Sequence, residues 1–296
     1  MSSATAPEIL KLIQEEGPLA QPLGLEELRL AFSKFYLGFE TPRKLSLQEV
    51  LIGRQRATWI AVPEVEPHRT VLFFHGGGYT VGSVRDHQEL CARLSAAARA
   101  RVLSLEYRLA PENPYPAAME DCLQAALWLL ERGLPPQRLA LAGLSVGGSL
   151  ALTTLLALRE RGSRLPAAGV CLSPAPDLTF PGQSMQANQG RDWLTPQRLE
   201  NIRVNYLAGA DPSQPMASPI AADLTGLPPL MIQAGGGELL LDDIRALAAK
   251  AKEAGVETTL EEYPEMFHAW QMFASRLDQG QEAIASAGAF IRKMIP

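Results

Sequence analysis

Short apolar, β-branched runs recur along this chain, and from the third onward stretches of helical periodicity lie between them. The candidate strands are Ser46–Ile52, Ala57–Val62, Thr70–Phe74, Arg101–Leu105, Arg138–Ala142, Ala168–Leu172, Pro229–Ala234 and Glu257–Glu262. The helical patterns cover Asp86–Arg99, Ala117–Arg132, Val146–Glu160, Leu240–Ala254 and Gln281–Met294. Strand–helix–strand order implies a parallel sheet, because a helix-length crossover is needed to return the chain to the same edge. Runs such as Val71–Phe74 and Leu230–Ile232 are continuously apolar, as strands covered on both faces require. The first two runs lie close enough for an antiparallel hairpin. The expected fold class is therefore α/β, a mostly parallel eight-stranded sheet flanked by helices.

Two stretches break the alternation. Residues 1–45 space Ile9, Leu12 and Ile13, and later Leu28, Phe32, Phe35 and Tyr36, as amphipathic helices do. Residues 178–218 hold a polar loop, a helix near Pro196–Tyr206 and the turn-rich GADPSQPMASP. Either could be surface decoration. Open parallel sheets, however, bind ligands beyond the C-terminal ends of their strands, and together the two could roof that edge. The expected organisation is an N-terminal helical cap segment (1–45) and a catalytic domain (46–296) carrying a second cap insertion (178–218).

The uncharged run from Leu139 to Leu158 is 20 residues long, enough to span a bilayer. Glycines interrupt its first half, and a buried strand, a sharp turn and a buried helix explain it better. The net charge, 27 − 32 = −5, is not blocked into runs, which argues against nucleic-acid or anionic-membrane partners. Cys91, Cys122 and Cys171 sit in apolar patterns and read as buried free thiols of a reducing compartment. The opening MSSATAPEILKLIQEEG has neither the basic start nor the apolar run of a signal peptide, so the expected location is cytoplasmic.

Ser145 lies between Gly143 and Gly147, at the junction of a candidate strand and a candidate helix. Glycines at those flanks permit a turn tight enough to expose a serine hydroxyl and aim a helix N-terminus at it. Packing alone could also explain them. His75-Gly76-Gly77-Gly78-Tyr79 follows the strand Val71–Phe74, and three glycines there would offer free N–H groups to a developing oxyanion. His268, a few residues beyond the last strand, has the topological address of a general base at the edge where Ser145 lies. Glu238 follows the strand ending near Ala234 and is the candidate acid, with Asp242 as its rival; Asp242 and Asp243 fall in the first turn of the next helix, where carboxylates commonly cap. The chain order serine, acid, histidine is that of α/β-hydrolases.

These residues resemble the hormone-sensitive-lipase-like family of α/β-hydrolase carboxylesterases. The likeness runs from about Thr70 to the C-terminus and rests on His75–Tyr79, YRLAPENPYPAAMED (Tyr107–Asp121), GLSVGG (Gly143–Gly148), LLLDD (Leu239–Asp243) and FHAWQ (Phe267–Gln271). It implies Ser145 as nucleophile, His268 as base, Glu238 as acid, and the backbone N–H groups of Gly77, Gly78 and Val146 as oxyanion donors. It also implies N-terminal helices capping the site, and makes a homodimer through edge strands or C-terminal helices plausible. The chain departs from the family's usual pattern at Glu238, where aspartate is commoner, at Leu144 and Val146 beside the serine, and at Asn113, where histidine is usual. The expected activity is hydrolysis of short-to-medium acyl esters through an acyl-enzyme, with no metal or organic cofactor. Tyr79, Leu144 and Trp270 are expected to bind substrate, and Leu144, Val146 and Trp270 to narrow the acyl site. Lactone, acetyl-ester or amide substrates, or a non-catalytic ligand receptor, are the alternatives.

Overall fold

A computed structural model describes residues 3–18, 20–39, 41 and 44–295; the remainder of the 1–45 segment lies outside the described residues. The strands are β1 (Ser46–Ile52), β2 (Gln55–Ala61), β3 (Thr70–Phe74), β4 (Arg101–Leu105), β5 (Leu139–Leu144), β6 (Ala168–Leu172), β7 (Leu230–Gly235) and β8 (Thr258–Tyr263). The helices are α1 (Ala6–Glu16), α2 (Leu25–Tyr36), α3 (Gln88–Ala98), α4 (Ala117–Glu131), α5 (Val146–Glu160), α6 (Ser184–Ala187), α7 (Pro196–Leu207), α8 (Leu241–Glu253) and α9 (Asp278–Met294). The strands form one sheet in the order β1-β2-β4-β3-β5-β6-β7-β8. β1 and β2 pair antiparallel, β2 meets β4 antiparallel, and every pair from β4 to β8 is parallel.

β3, β5, β6 and β7 are buried at every residue, which is why their sequences are continuously apolar. Successive β3 side chains serve opposite faces of the sheet. Leu72 and Phe74 join the core under α4, α5 and α8, whereas Val71 and Phe73 join the core under α3 and α9. The uncharged run Leu139–Leu158 is β5, Ser145 and most of α5; every residue from Val146 to Leu158 is buried. Among the described residues, no helix is long and apolar enough to cross a membrane.

β5 runs two residues beyond its expected end, because Gly143 still pairs with Phe74 and Cys171 and Leu144 with Leu172. That extension carries the strand directly into Ser145. α6 was not expected from periodicity, being a single turn. α1 and α2 bury Ile9, Ile13, Phe32 and Tyr36 against the α3–α9 face. Arg29 of α2 fastens this segment. Its guanidinium bonds both carboxylate oxygens of Glu112 at 2.7 Å and the carbonyl oxygens of Thr80 and Ala110 at 2.9 and 3.1 Å. The Tyr107–Asp121 segment is thus a bracket, since the Tyr107 hydroxyl also holds the His75 carbonyl at 2.8 Å and Asp121 grips Arg108.

Candidate active site

Ser145 stands between β5 and α5 with φ 56° and ψ −127°, a left-handed conformation that costs a non-glycine residue ~1–3 kcal/mol. The surroundings enforce it. The Ser145 N–H donates to Leu172 O at 2.8 Å, and Gly148 N–H donates back to Ser145 O at 2.9 Å. A Cβ on Gly147 would collide with the Phe74 carbonyl, and one on Gly143 with the Gly147 carbonyl, so the turn tolerates no side chain at either flank. The strain presents the hydroxyl at the N-terminus of α5, in a half-buried position.

His268 Nε2 lies 2.8 Å from Ser145 Oγ, and His268 Nδ1 lies 2.7 Å from Glu238 Oε2. A carboxylate can only accept, so Nδ1 carries the ring hydrogen and Nε2 keeps its lone pair toward the serine hydroxyl. Glu238 is fully buried. Its second oxygen accepts from Gly235 N–H at 2.6 Å and from the Ser173 hydroxyl at 2.8 Å, which absorbs the longer side chain. Burial lowers the affinity of His268 for a proton. The hydrogen bond to Glu238 and the negative charges of Glu238 and Asp192 outweigh it, so its pKa lies above the ordinary 6.5. Asp242, the rival acid, points elsewhere: it accepts from Ser184 N–H at 2.8 Å and pairs with Arg245 at 3.7 Å.

Beside the serine, the loop after β3 turns back on itself through Gly77 (φ 115°) and Gly78 (φ 60°). A Cβ on Gly76 would sit 3.4 Å from Ser145 Cβ, which sets how close this loop passes. Gly76 N–H donates to His87 Nε2 at 3.1 Å. The N–H groups of Gly77 and Gly78 have no partner among the described residues, and Val146 opens α5, so its N–H has none within the helix.

The hydroxyl opens into a mostly apolar cavity of about 310 Å³. α2 supplies Leu28, Phe32 and Tyr36; α7 supplies Arg198, Leu199, Asn201, Ile202 and Asn205; Leu144, Val146 and Trp193 lie near the serine. Two expectations need correction. Tyr79 does not line the cavity: it is 2% exposed and stacks face to face on Tyr206, with centroids 3.5 Å apart. Trp270 is fully buried under Tyr263, 5.1 Å between centroids, and is not in the wall either. Both are large apolar side chains next to site residues, and packing claims them. Sequence reasoning also missed Ser173, Asn188, Asp192 and Trp193, whose contacts run to Glu238, His268 or their loops.

The sheet order, the strained serine and its hydrogen-bonded histidine define an α/β hydrolase, and a model described as alpha/beta hydrolase fold matches residues 71–272, so the chain belongs to that family. It is 48% identical over 244 residues to an acetyl-hydrolase of Streptomyces hygroscopicus, covering 82% of this chain and 81% of the relative. It is 33% identical over 222 residues to an esterase of Acinetobacter venetianus, covering 74% and 73%. A crystal structure of an esterase from the bacterial hormone-sensitive lipase family matches 99% of this chain and 100% of its own, with TM-score 0.95 and 42% identity. Within the α/β hydrolases, the chain is a carboxylic-ester hydrolase of the hormone-sensitive-lipase-like group.

Proposed function

We propose that this enzyme is a serine carboxylesterase acting on short-to-medium acyl esters through Ser145, His268 and Glu238. The observation that carries the reading is the unbroken line from hydroxyl to imidazole to carboxylate, at 2.8 and 2.7 Å. His268 Nε2 takes the Ser145 proton as Oγ attacks the ester carbonyl carbon. The carbonyl oxygen becomes an oxyanion that accepts hydrogen bonds from Gly77, Gly78 and Val146, each donor worth roughly 3 kcal/mol by analogy with a measured one. Glu238 keeps the proton on Nδ1 and stabilises the imidazolium. Collapse expels the alcohol, which takes its proton from His268, and water repeats the cycle on the acyl-enzyme.

The cavity supports the proposed substrate class. About 310 Å³ lies at the small end of the ~300–1,000 Å³ typical of ligand pockets, and its apolar walls suit a short acyl chain and a compact alcohol. The likeness to an acetyl-hydrolase supports acetyl esters within that range. In this reading residues 1–45 and 178–218 act as the cap, with α2 and α7 each lining the cavity. The three free cysteines are buried, in keeping with a cytoplasmic enzyme, and a homodimer is the assembly that family resemblance favours. Ser145→Ala is expected to lose ~10⁶-fold in kcat on p-nitrophenyl butyrate while its melting curve stays near wild type. Wild-type turnover by that variant refutes the mechanism, and a preference for twelve-carbon over four-carbon esters refutes the substrate class.

A further inference from the structure

Asp192 belongs to no motif that carries the reaction, yet its carboxylate holds the backbone on which the base and the acid stand. The residue is 3% exposed. Oδ1 accepts from the N–H of His268 at 3.1 Å and of Leu194 at 3.3 Å, and Oδ2 accepts from the N–H of Leu239, next to Glu238, at 2.9 Å. Its neighbours bind the same two loops. The Trp193 indole N–H donates to His268 O at 2.6 Å, and the Asn188 carboxamide donates to Glu238 O at 2.8 Å and Gly236 O at 3.2 Å.

Burying a carboxylate costs free energy that a neutral side chain would avoid. Burial pushes the Asp192 pKa up to about 6, against the opposing influence of His268 and with the Glu238 charge adding to the rise. An asparagine would be easier to bury but has one acceptor oxygen for three N–H donors. The aspartate therefore supplies two things together: enough lone pairs to fix both loops, and a negative charge beside the imidazole.

We propose that Asp192 is a positioning residue for the ester hydrolysis read above, clamping the Glu238 and His268 loops in register and favouring the imidazolium that forms during turnover. This inference rests on the Ser145–His268–Glu238 reading. It makes the 178–218 segment part of the machinery as well as a wall, because Leu194, Arg198 and Leu199, just beyond the clamp, line the substrate cavity. Among the described residues, the charged and titratable groups around His268 are Glu238 from the loop after β7 and Asp192 from this segment, with Arg198 of α7, His87 before α3 and Tyr36 of α2 lining the same cavity.

The test is the pH dependence of kcat and KM on p-nitrophenyl butyrate for wild type, Asp192→Asn and Asp192→Ser. Misplacing a base by a fraction of an ångström to one ångström predicts kcat lower by ~10–100-fold, with KM changed by less than ~3-fold. The acid limb of kcat/KM should move to lower pH, since the lost charge no longer raises His268. Wild-type kcat in either variant, or a fall in kcat with the acid limb unmoved, overturns the clamp. So does failure of both variants to fold, which would make Asp192 a stability residue. Fluorophosphonate labelling of the wild type separates the two readings. Without an adduct on Ser145 the triad itself fails; with one, an unmoved acid limb defeats the clamp alone.

Discussion

Two walls flank Ser145, and each buries histidine, but they treat it in opposite ways. On the acid side His268 is 2% exposed and hydrogen-bonded to Glu238, and its pKa is raised. On the glycine side His75 and His87 are 0% and 1% exposed, and neither has a carboxylate hydrogen-bonded to its ring. Burial, joined by the nearby His87, pushes His75 down to about 3, and burial pushes His87 down to about 4. Burial is nearly equal in the three, so the carboxylate decides the protonation. The difference matches what each ring does. In the proposed mechanism His268 accepts a proton during turnover, whereas His87 must stay neutral for Nε2 to accept from Gly76 N–H and hold the glycine loop.

The largest way to break this contrast is Glu238→Gln. A carboxamide can donate to Nδ1 and so place the ring hydrogen on Nε2, the wrong tautomer for a base. The expected loss is ~10⁴-fold in kcat, by analogy with the same exchange in a Ser-His-Asp triad, with the fold retained by circular dichroism. A loss below ~10-fold would show that the carboxylate does not set the tautomer.

Smaller effects appear in stability. His75 and His87 are neutral in the folded enzyme, while in the unfolded chain they titrate near the ordinary 6.5. Below that pH the unfolded chain binds more protons, so stability is full above about 6.5 and falls as pH drops toward 4 and then 3. His87→Asn should make Tm less sensitive to pH between 6.5 and 4, as read by differential scanning fluorimetry; an unchanged slope would mean that His87 is not held neutral. His268 carries the opposite sign. Its raised pKa contributes stability below about 6.5 that is lost as pH rises through the folded value.

The sheet was legible in the sequence because its cause is local. β3, β4, β6 and α5 begin and end where the apolar runs place them, since burial leaves those runs little else to do. β1 also keeps its expected bounds although only Ile52 of it is buried, held by its antiparallel pairing with β2. The convergence of Ser145, Glu238 and His268 was legible because each follows a strand end, and parallel strands gather those ends at one rim. Asp192 was not. Its partners are backbone N–H groups of Leu239 and His268, 47 and 76 residues away, and a backbone donor leaves no trace in residue identity. Tyr79 and Trp270 misled for the converse reason: their motifs sit beside the site, but only the packed structure tells which way an aromatic ring turns.

The proposed mechanism depends on one hydroxyl being made nucleophilic by one imidazole. The most direct measurement is peptide mapping by mass spectrometry after inactivation with a fluorophosphonate. One adduct on the peptide containing Ser145, appearing in step with loss of ester turnover and absent from Ser145→Ala, is the predicted result. Full turnover lost with the adduct on another residue, or retained with Ser145 modified, would contradict it.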